Sequence, residues 1–449
     1  GSLEMNKTLS WFNGVSLVVG MQIGSGIFSS PAAISIGAGS AGASLIVWIL
    51  AGVLAWTGAC CYVELGTMLP VNGSSQAYLS YIYGPMWSFL FSWMVVLLLK
   101  PGSAAIIAIV FGQYSQRAMI GDSTYGGFLA SELMQKLLAI AGLSLITAIN
   151  MMSPKSGAKS SNLFFVLKSV LIAIILCIGL YGSYFPPLSG PYTTTLSTSA
   201  SLFEGTTDSF GKMAVAIYAG VWAYDGWDNV NYVAGELRHC NRDFPRIIHL
   251  AMPLVILSYL LINLSYYAVL TLDEVKQAKA IALEFTTKVL GGFAGQLVSL
   301  LIALSCVGSL NATVFTATRA TFSAAQRGFL PKVFSRLNEG RANTPTNALM
   351  LNTVLTLIYV VAGAFRSLIS LYGVASYTFY LMTVAGVLVL KYREPELQRS
   401  YRTWWITPIV FCGVALCLIL RGIIEQPVQA LVAYILMALG AGVYLVKLW

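Results

Sequence analysis

Ile23-Gly24-Ser25-Gly26-Ile27-Phe28 interrupts an apolar run that covers residues 11–38. A second interruption, Trp222-Ala223-Tyr224-Asp225-Gly226-Trp227, falls inside the apolar run 210–235. Both runs are flanked like membrane segments. In lipid a backbone amide without a partner is expensive, so a helix is broken there only where the break lines a cavity. Breaks at matching places in two halves of one chain are the sequence mark of a transporter's substrate site.

The composition around these patches agrees. Only 10% of the 449 residues are charged, against roughly 25% in a soluble protein, and the mean hydropathy is +0.76. Most of the chain is therefore expected to lie in a bilayer. The net charge of +9 reads as Lys- and Arg-rich loops on one side of that bilayer, not as a nucleic-acid surface. Cys60, Cys61, Cys177, Cys306, Cys412 and Cys417 fall in apolar runs and Cys240 in a polar loop. That spacing gives neither a disulfide framework nor a zinc site. With His239 and His249 as the two histidines, no metal or cofactor is expected. Gly1-Ser2-Leu3-Glu4 ahead of Met5 reads as an addition, and no cleavable signal peptide is expected.

A span needs about 20 apolar residues. Twelve are expected, at 11–38, 43–69, 86–116, 133–152, 160–183, 210–235, 245–270, 293–325, 345–364, 367–390, 405–421 and 427–446. An even number puts both termini on one side. The loops of that side hold fifteen of the 26 Lys and Arg residues, and those of the other side hold eight. The bias makes the termini cytoplasmic. Of the external loops, 184–209 is rich in Pro, Ser and Thr, and 271–291 has room for a short helix at the mouth of a pathway.

With the order of motifs along the chain in view, the sequence resembles the L-type amino-acid transporters of the amino acid–polyamine–organocation superfamily. The resemblance rests on Ile23 to Phe28, Glu64-Leu65-Gly66-Thr67, Ser201-Leu202-Phe203-Glu204-Gly205-Thr206 and Trp222 to Asp228. It continues through Asn231-Tyr232-Val233, Gly308-Ser309-Leu310-Asn311, Arg319, Gly328-Phe329-Leu330-Pro331 and Pro395-Glu396-Leu397. It implies an all-α membrane protein with a LeuT-like fold. The parts would be a cytoplasmic N-terminus (1–10), two inverted five-helix repeats (11–183 and 210–391) and two additional helices (405–446). It also implies an antiporter of the plasma membrane.

The site reading follows from the substrate's charges. An amino acid is a zwitterion, and each charge needs a partner before it leaves water. The amides of Ser25, Gly26 and Ile27 would start a half-helix suited to a carboxylate. Carbonyls near Ile23, and around Trp222, Ala223 and Asp225, would take the ammonium. Tight helix packing is the competing reading of Gly24 and Gly26. Trp222 would cover the site, its alternative being an interfacial tryptophan. Tyr377 aligns with a pocket aromatic or simply packs. Asp225 and Asp228 are carboxylates deep in a span, where charge is costly and usually functional, or else they cap the inner half-helix. The resemblance places Asp at the Asp225 position in exchangers of cationic amino acids and cystine, and Gly in many large-neutral transporters.

Lys168 resembles the lysine that stands in for a sodium ion, which implies sodium-independent transport. A snorkelling lysine is its alternative. Glu64, Asp228, Arg319 and Trp222 are gate candidates, and Lys100-Pro101 shows no partner in the sequence. The loop from Arg117 to Leu133 lacks the cysteine through which many animal members bind a heavy subunit, so no disulfide-linked subunit is expected. The expected function is exchange or facilitated passage of L-amino acids, mainly large neutral and also cationic. A non-transporting amino-acid sensor and a strictly neutral, methionine-like permease are the alternatives. A membrane enzyme is disfavoured because no buried Ser/His or His/Asp/Glu constellation is present.

Overall fold

The computed structural model describes residues 9–70, 73–121, 127–152, 156–185, 195, 202–337, 344–363 and 365–447. The leading Gly1–Glu4 and most of the 184–209 loop lie outside them. The chain is an all-helical, multi-pass integral membrane protein.

The first apolar run is broken into α1 (Trp11–Gln22), α2 (Gly26–Ser29) and α3 (Pro31–Ala38). Ser10 caps α1 by accepting from the Asn13 N–H at 3.4 Å. The helix stops where Ile23 takes ψ 82°. From α2 the chain runs into α3 through Ser30, which keeps helical dihedrals, and Pro31 sits at the start of α3, where its missing N–H is harmless. Gly39 ends α3 at φ +85°, a left-handed stop that glycine adopts freely.

Next come α4 (Ala41–Met68), α5 (Ser75–Tyr83), α6 (Pro85–Met94), α7 (Lys100–Ile120), α8 (Glu132–Met152) and α9 (Ser156–Tyr184). A π-helical turn, Val95–Leu99, joins α6 to α7. Pro101 accounts for it. Proline lacks a donor and clashes with the carbonyl four residues back. That carbonyl belongs to Leu97, and the Tyr359 hydroxyl donates to it at 2.9 Å, which satisfies it at a depth where water cannot.

The second broken run is α10 (Phe210–Ala223), then turns, then a 3-10 helix, Asn229–Glu236. The remainder is α11 (Cys240–Val269), α12 (Leu272–Gln277), α13 (Ile281–Leu290), α14 (Gly292–Gln326), α15 (Thr346–Ala362), α16 (Phe365–Arg393), α17 (Ile406–Glu425) and α18 (Pro427–Lys447). The 271–291 loop thus carries two short helices, α12 and α13. Among the described residues ten helical stretches are long and apolar enough to cross a membrane, and α10 and α15 are shorter apolar helices. The break explains the shortness of α10.

Helices α7 and α14 pack along each other, α1 lies against α9, α11 and α14, and α10 against α3 and α4. This arrangement brings the two breaks together. The outer ends of the broken runs also touch. Leu9 and Leu237 form an isolated parallel bridge, and the Arg238 N–H donates to the Leu9 carbonyl at 3.1 Å. The same end of the molecule buries Glu64. Its carboxylate meets Lys391 Nζ at 3.4 Å and Arg399 Nε at 3.2 Å. It also accepts from the Thr403 N–H at 2.8 Å and hydroxyl at 2.6 Å.

Candidate functional site

Gly26 sets the distance between the breaks. A Cβ at that position would lie 2.6 Å from Ala223 Cα and 3.0 Å from its carbonyl oxygen. Glycine alone permits that backbone approach. Gly24 is hemmed in by the Ser309 side chain and the Met21 carbonyl. The tight packing and the open backbone of the two readings therefore coexist at the same glycines.

The gap between α1 and α2 leaves backbone groups without helical partners. The Gly24 N–H turns back to the Gln22 carbonyl at 2.8 Å, and Phe28 and Ser29 donate to Ser25. Among the described residues nothing accepts from the N–H groups of Ser25, Gly26 and Ile27, and nothing donates to the carbonyls of Ile23 and Asp225. Ser25 and Ile27 are buried. Buried backbone groups are nearly always paired. Three donors at a helix start can take up a carboxylate, and two carbonyls an ammonium.

The chain's own side chains claim the neighbouring carbonyls. The Tyr259 hydroxyl lies between the Gln22 carbonyl and, at 2.9 Å, the Ala223 carbonyl, one from each break, and shares its single proton between them. Gln22 Nε2 donates across to the Tyr224 carbonyl at 2.8 Å. Lys168 is fully buried; its ammonium reaches the Gly20 carbonyl, left over at the end of α1, and donates to Ser309 Oγ of α14 at 2.6 Å. It does not snorkel. It ties α9, α1 and α14 together beside the first break.

Asp225 lies one residue past the α10 C-cap. Its carboxylate accepts from the hydroxyls of Tyr372 at 2.7 Å and Tyr380 at 3.3 Å. Trp222 is buried, with its ring edge-on to Tyr372 at 5.7 Å. Asp228 holds the N-cap position of the 3-10 helix, but its side chain makes no capping hydrogen bond. Both aspartates line a cavity of about 30 Å³, shared with Met21, Lys100, Asn229 and Tyr232. That volume suits water, not an amino acid. Lys100 faces it from α7, donates to Asn229 Oδ1 at 3.1 Å and Thr316 Oγ1 at 3.4 Å, and sits 4.4 Å over the Tyr232 ring.

The other expected residues fall elsewhere. Tyr377 stacks on Phe411 at 6.4 Å and meets Tyr380 edge-on; Tyr372, Ser376 and Tyr380 are the α16 residues at the cavity with Phe379. Their four-residue spacing marks one helix face, a signal visible in the sequence once a face is chosen. Glu64 and Arg319 have different neighbours: Glu64 is held by Lys391 and Arg399, and Arg319 lies 4.1 Å over the Phe315 ring. Tyr259 and Gln22 carry no comparable sequence signal, and Ser309 stands out in the sequence only as part of the Gly308-Ser309-Leu310-Asn311 motif, without a role. Among the described residues no cluster of His, Cys, Asp and Glu is placed to hold a metal.

Comparison with known proteins places the chain among others of this kind. Residues 9–443 match the amino acid permease family. The chain is 36% identical to the b(0,+)-type amino acid transporter 1 of Mus musculus, over 94% of its own length and 84% of that protein's. It is 31% identical to the large neutral amino acids transporter small subunit 2 of Mus musculus, over 99% and 81%. To the cystine/glutamate transporter of Homo sapiens it is 29% identical, over 98% and 85%.

Proposed function

This chain belongs to the amino acid permease family, and within it to the L-type amino acid transporters, and we propose that it is a sodium-independent exchanger or facilitator of L-amino acids, mainly large neutral ones and cationic ones in addition. It is a transporter, not an enzyme. In this reading twelve crossings form two inverted repeats, 11–183 and 210–391, followed by two helices at 405–446. The termini are cytoplasmic, the membrane is the plasma membrane, and no heavy subunit is disulfide-linked to it.

The observation that carries the proposal is the pair of abutting breaks, with unclaimed donors in the first and one unclaimed acceptor in each. The substrate's carboxylate meets the amides of Ser25 to Ile27. Its ammonium meets the carbonyls of Ile23 and Asp225. Its side chain points past Trp222 toward Tyr372 and Asp225. The site lies between packed helices and is too small when closed, so it fills and empties only by alternating access to the two sides. Lys168 supports sodium independence, because a fixed ammonium already bonds Gly20 of α1 and Ser309 of α14.

Purified protein in vesicles tests this. Labelled leucine should enter faster when unlabelled leucine is inside, and equally fast in sodium and choline buffers. Binding without flux would leave the sensor reading; a strong sodium requirement would remove Lys168 from its assigned role. A second reading, a strictly neutral permease, is favoured by one observation. The Asp225 carboxylate is already engaged by two tyrosine hydroxyls in a cavity shared with Lys100.

A further inference from the structure

A second and larger cavity, of about 500 Å³, opens where α7 ends, α8 begins and α15 ends. Gln113 and Arg117 of α7, Glu132 and Lys136 of α8, and Lys279 from the α12–α13 connection supply its polar wall. Three cations thus face one carboxylate. That carboxylate is weakly committed: Glu132 is exposed and lies 3.6 Å from Lys136, a surface pair of low strength. The Lys136 ammonium also donates to the Val361 carbonyl at the end of α15, at 3.2 Å. Arg117 reaches the Gly121 carbonyl at 3.4 Å. The connection carrying Lys279 is fixed in place, since Gln113 Nε2 donates to the Lys279 carbonyl at 2.5 Å and the Lys279 N–H donates to Glu284 at 3.1 Å. The Lys136 and Arg117 side chains are therefore held at the cavity wall by carbonyls, and the Lys279 side chain extends to it from a fixed backbone.

The surroundings identify the occupant. Three helices end here, so the cavity lies at the level where a bilayer's headgroups begin. Directly beside Lys136 on α8, Leu133 and Leu137 are 57% and 45% exposed, and Phe128 in the preceding turn is 58% exposed. Residues four apart share a helix face, so an outward apolar strip runs from the cavity down α8. A soluble anion would use the cations and leave that strip idle. A phospholipid uses both, with its phosphate among the cations and a chain along Leu133 and Leu137.

We propose that this cavity binds the headgroup of an anionic phospholipid. The bound lipid bridges α7 and α8 to the α12–α13 connection through Lys279.

The full-length protein in detergent, titrated with phosphatidylglycerol and weighed intact by native mass spectrometry, tests this. Phosphatidylglycerol should be retained in preference to phosphatidylcholine. The double variant Lys136→Gln, Lys279→Gln should bind it about 5-fold more weakly for each charge removed, the usual effect of one basic side chain near an anionic membrane surface. Lys136→Arg, Lys279→Arg should restore it, which a general loss of structure would not allow. Glycerol 3-phosphate should fail to displace the lipid. Equal retention of both lipids, unchanged binding by the double Gln variant, or displacement by glycerol 3-phosphate at comparable concentration would each overturn the proposal.

Discussion

Asp225 decides between the two substrate readings, because its charge and its hydrogen bonds can be separated. Asn at this position keeps an oxygen for the Tyr372 hydroxyl, now at 2.7 Å from the carboxylate, and gives up the negative charge. A carboxylate in a low-dielectric pocket attracts a cation strongly, but desolvation offsets much of the gain. If a cationic side chain reaches it, Asp225→Asn should weaken arginine and lysine about tenfold, the difference between a charged and a neutral hydrogen bond, and leave leucine and methionine nearly unchanged. Competition against labelled leucine measures all four. Equal losses would assign Asp225 a purely structural part. This residue was legible in the sequence, since an acid within an apolar run stands out. Lys100 was half legible. Its charge is as conspicuous, but its partners Asn229 and Thr316 lie 129 and 216 residues away, and no local pattern connects them.

At the scale of elements, the helix breaks were readable because glycine pairs and an embedded acid are anomalies in a lipid-spanning run. What holds the breaks was not. Tyr259 looks like any packing aromatic, and Tyr359, which repairs the α7 turn, looks the same. Only the fold reveals that their hydroxyls face carbonyls at the two helix breaks and four residues before Pro101. The Tyr259 hydroxyl serves both breaks at once. Tyr259→Phe removes it with little change of shape and leaves the Ala223 carbonyl without that donor. A buried carbonyl so abandoned costs about 1–3 kcal/mol. The variant should melt at a lower temperature in detergent and take up less leucine. If both stay unchanged, backbone packing at Gly26 alone sets the geometry of the breaks.

For the molecule as a whole, twelve apolar runs were visible, but which ends meet was not, because charges in connecting loops read only as a bias toward one side. The clearest case is Glu64. Its sequence neighbours give no hint of Lys391 in the last turn of α16 or of Arg399 beyond it, whose side chains are only 6% and 4% exposed. Glu64→Gln strands two cations away from water, and removing one member of a buried pair costs about 3–5 kcal/mol. Thermal unfolding of this variant should show a large loss, whereas a surface pair would show almost none. The bridge between Leu9 and Leu237 has a consequence of a mechanical kind. The two interrupted segments are fastened at mid-height, where Gly26 meets Ala223, and again at their rims. Two points of attachment leave no freedom to swivel against each other, so a tilt of one carries the other. If the chain transports as proposed, the two segments should move on that side as a single lever rather than as a pair of doors.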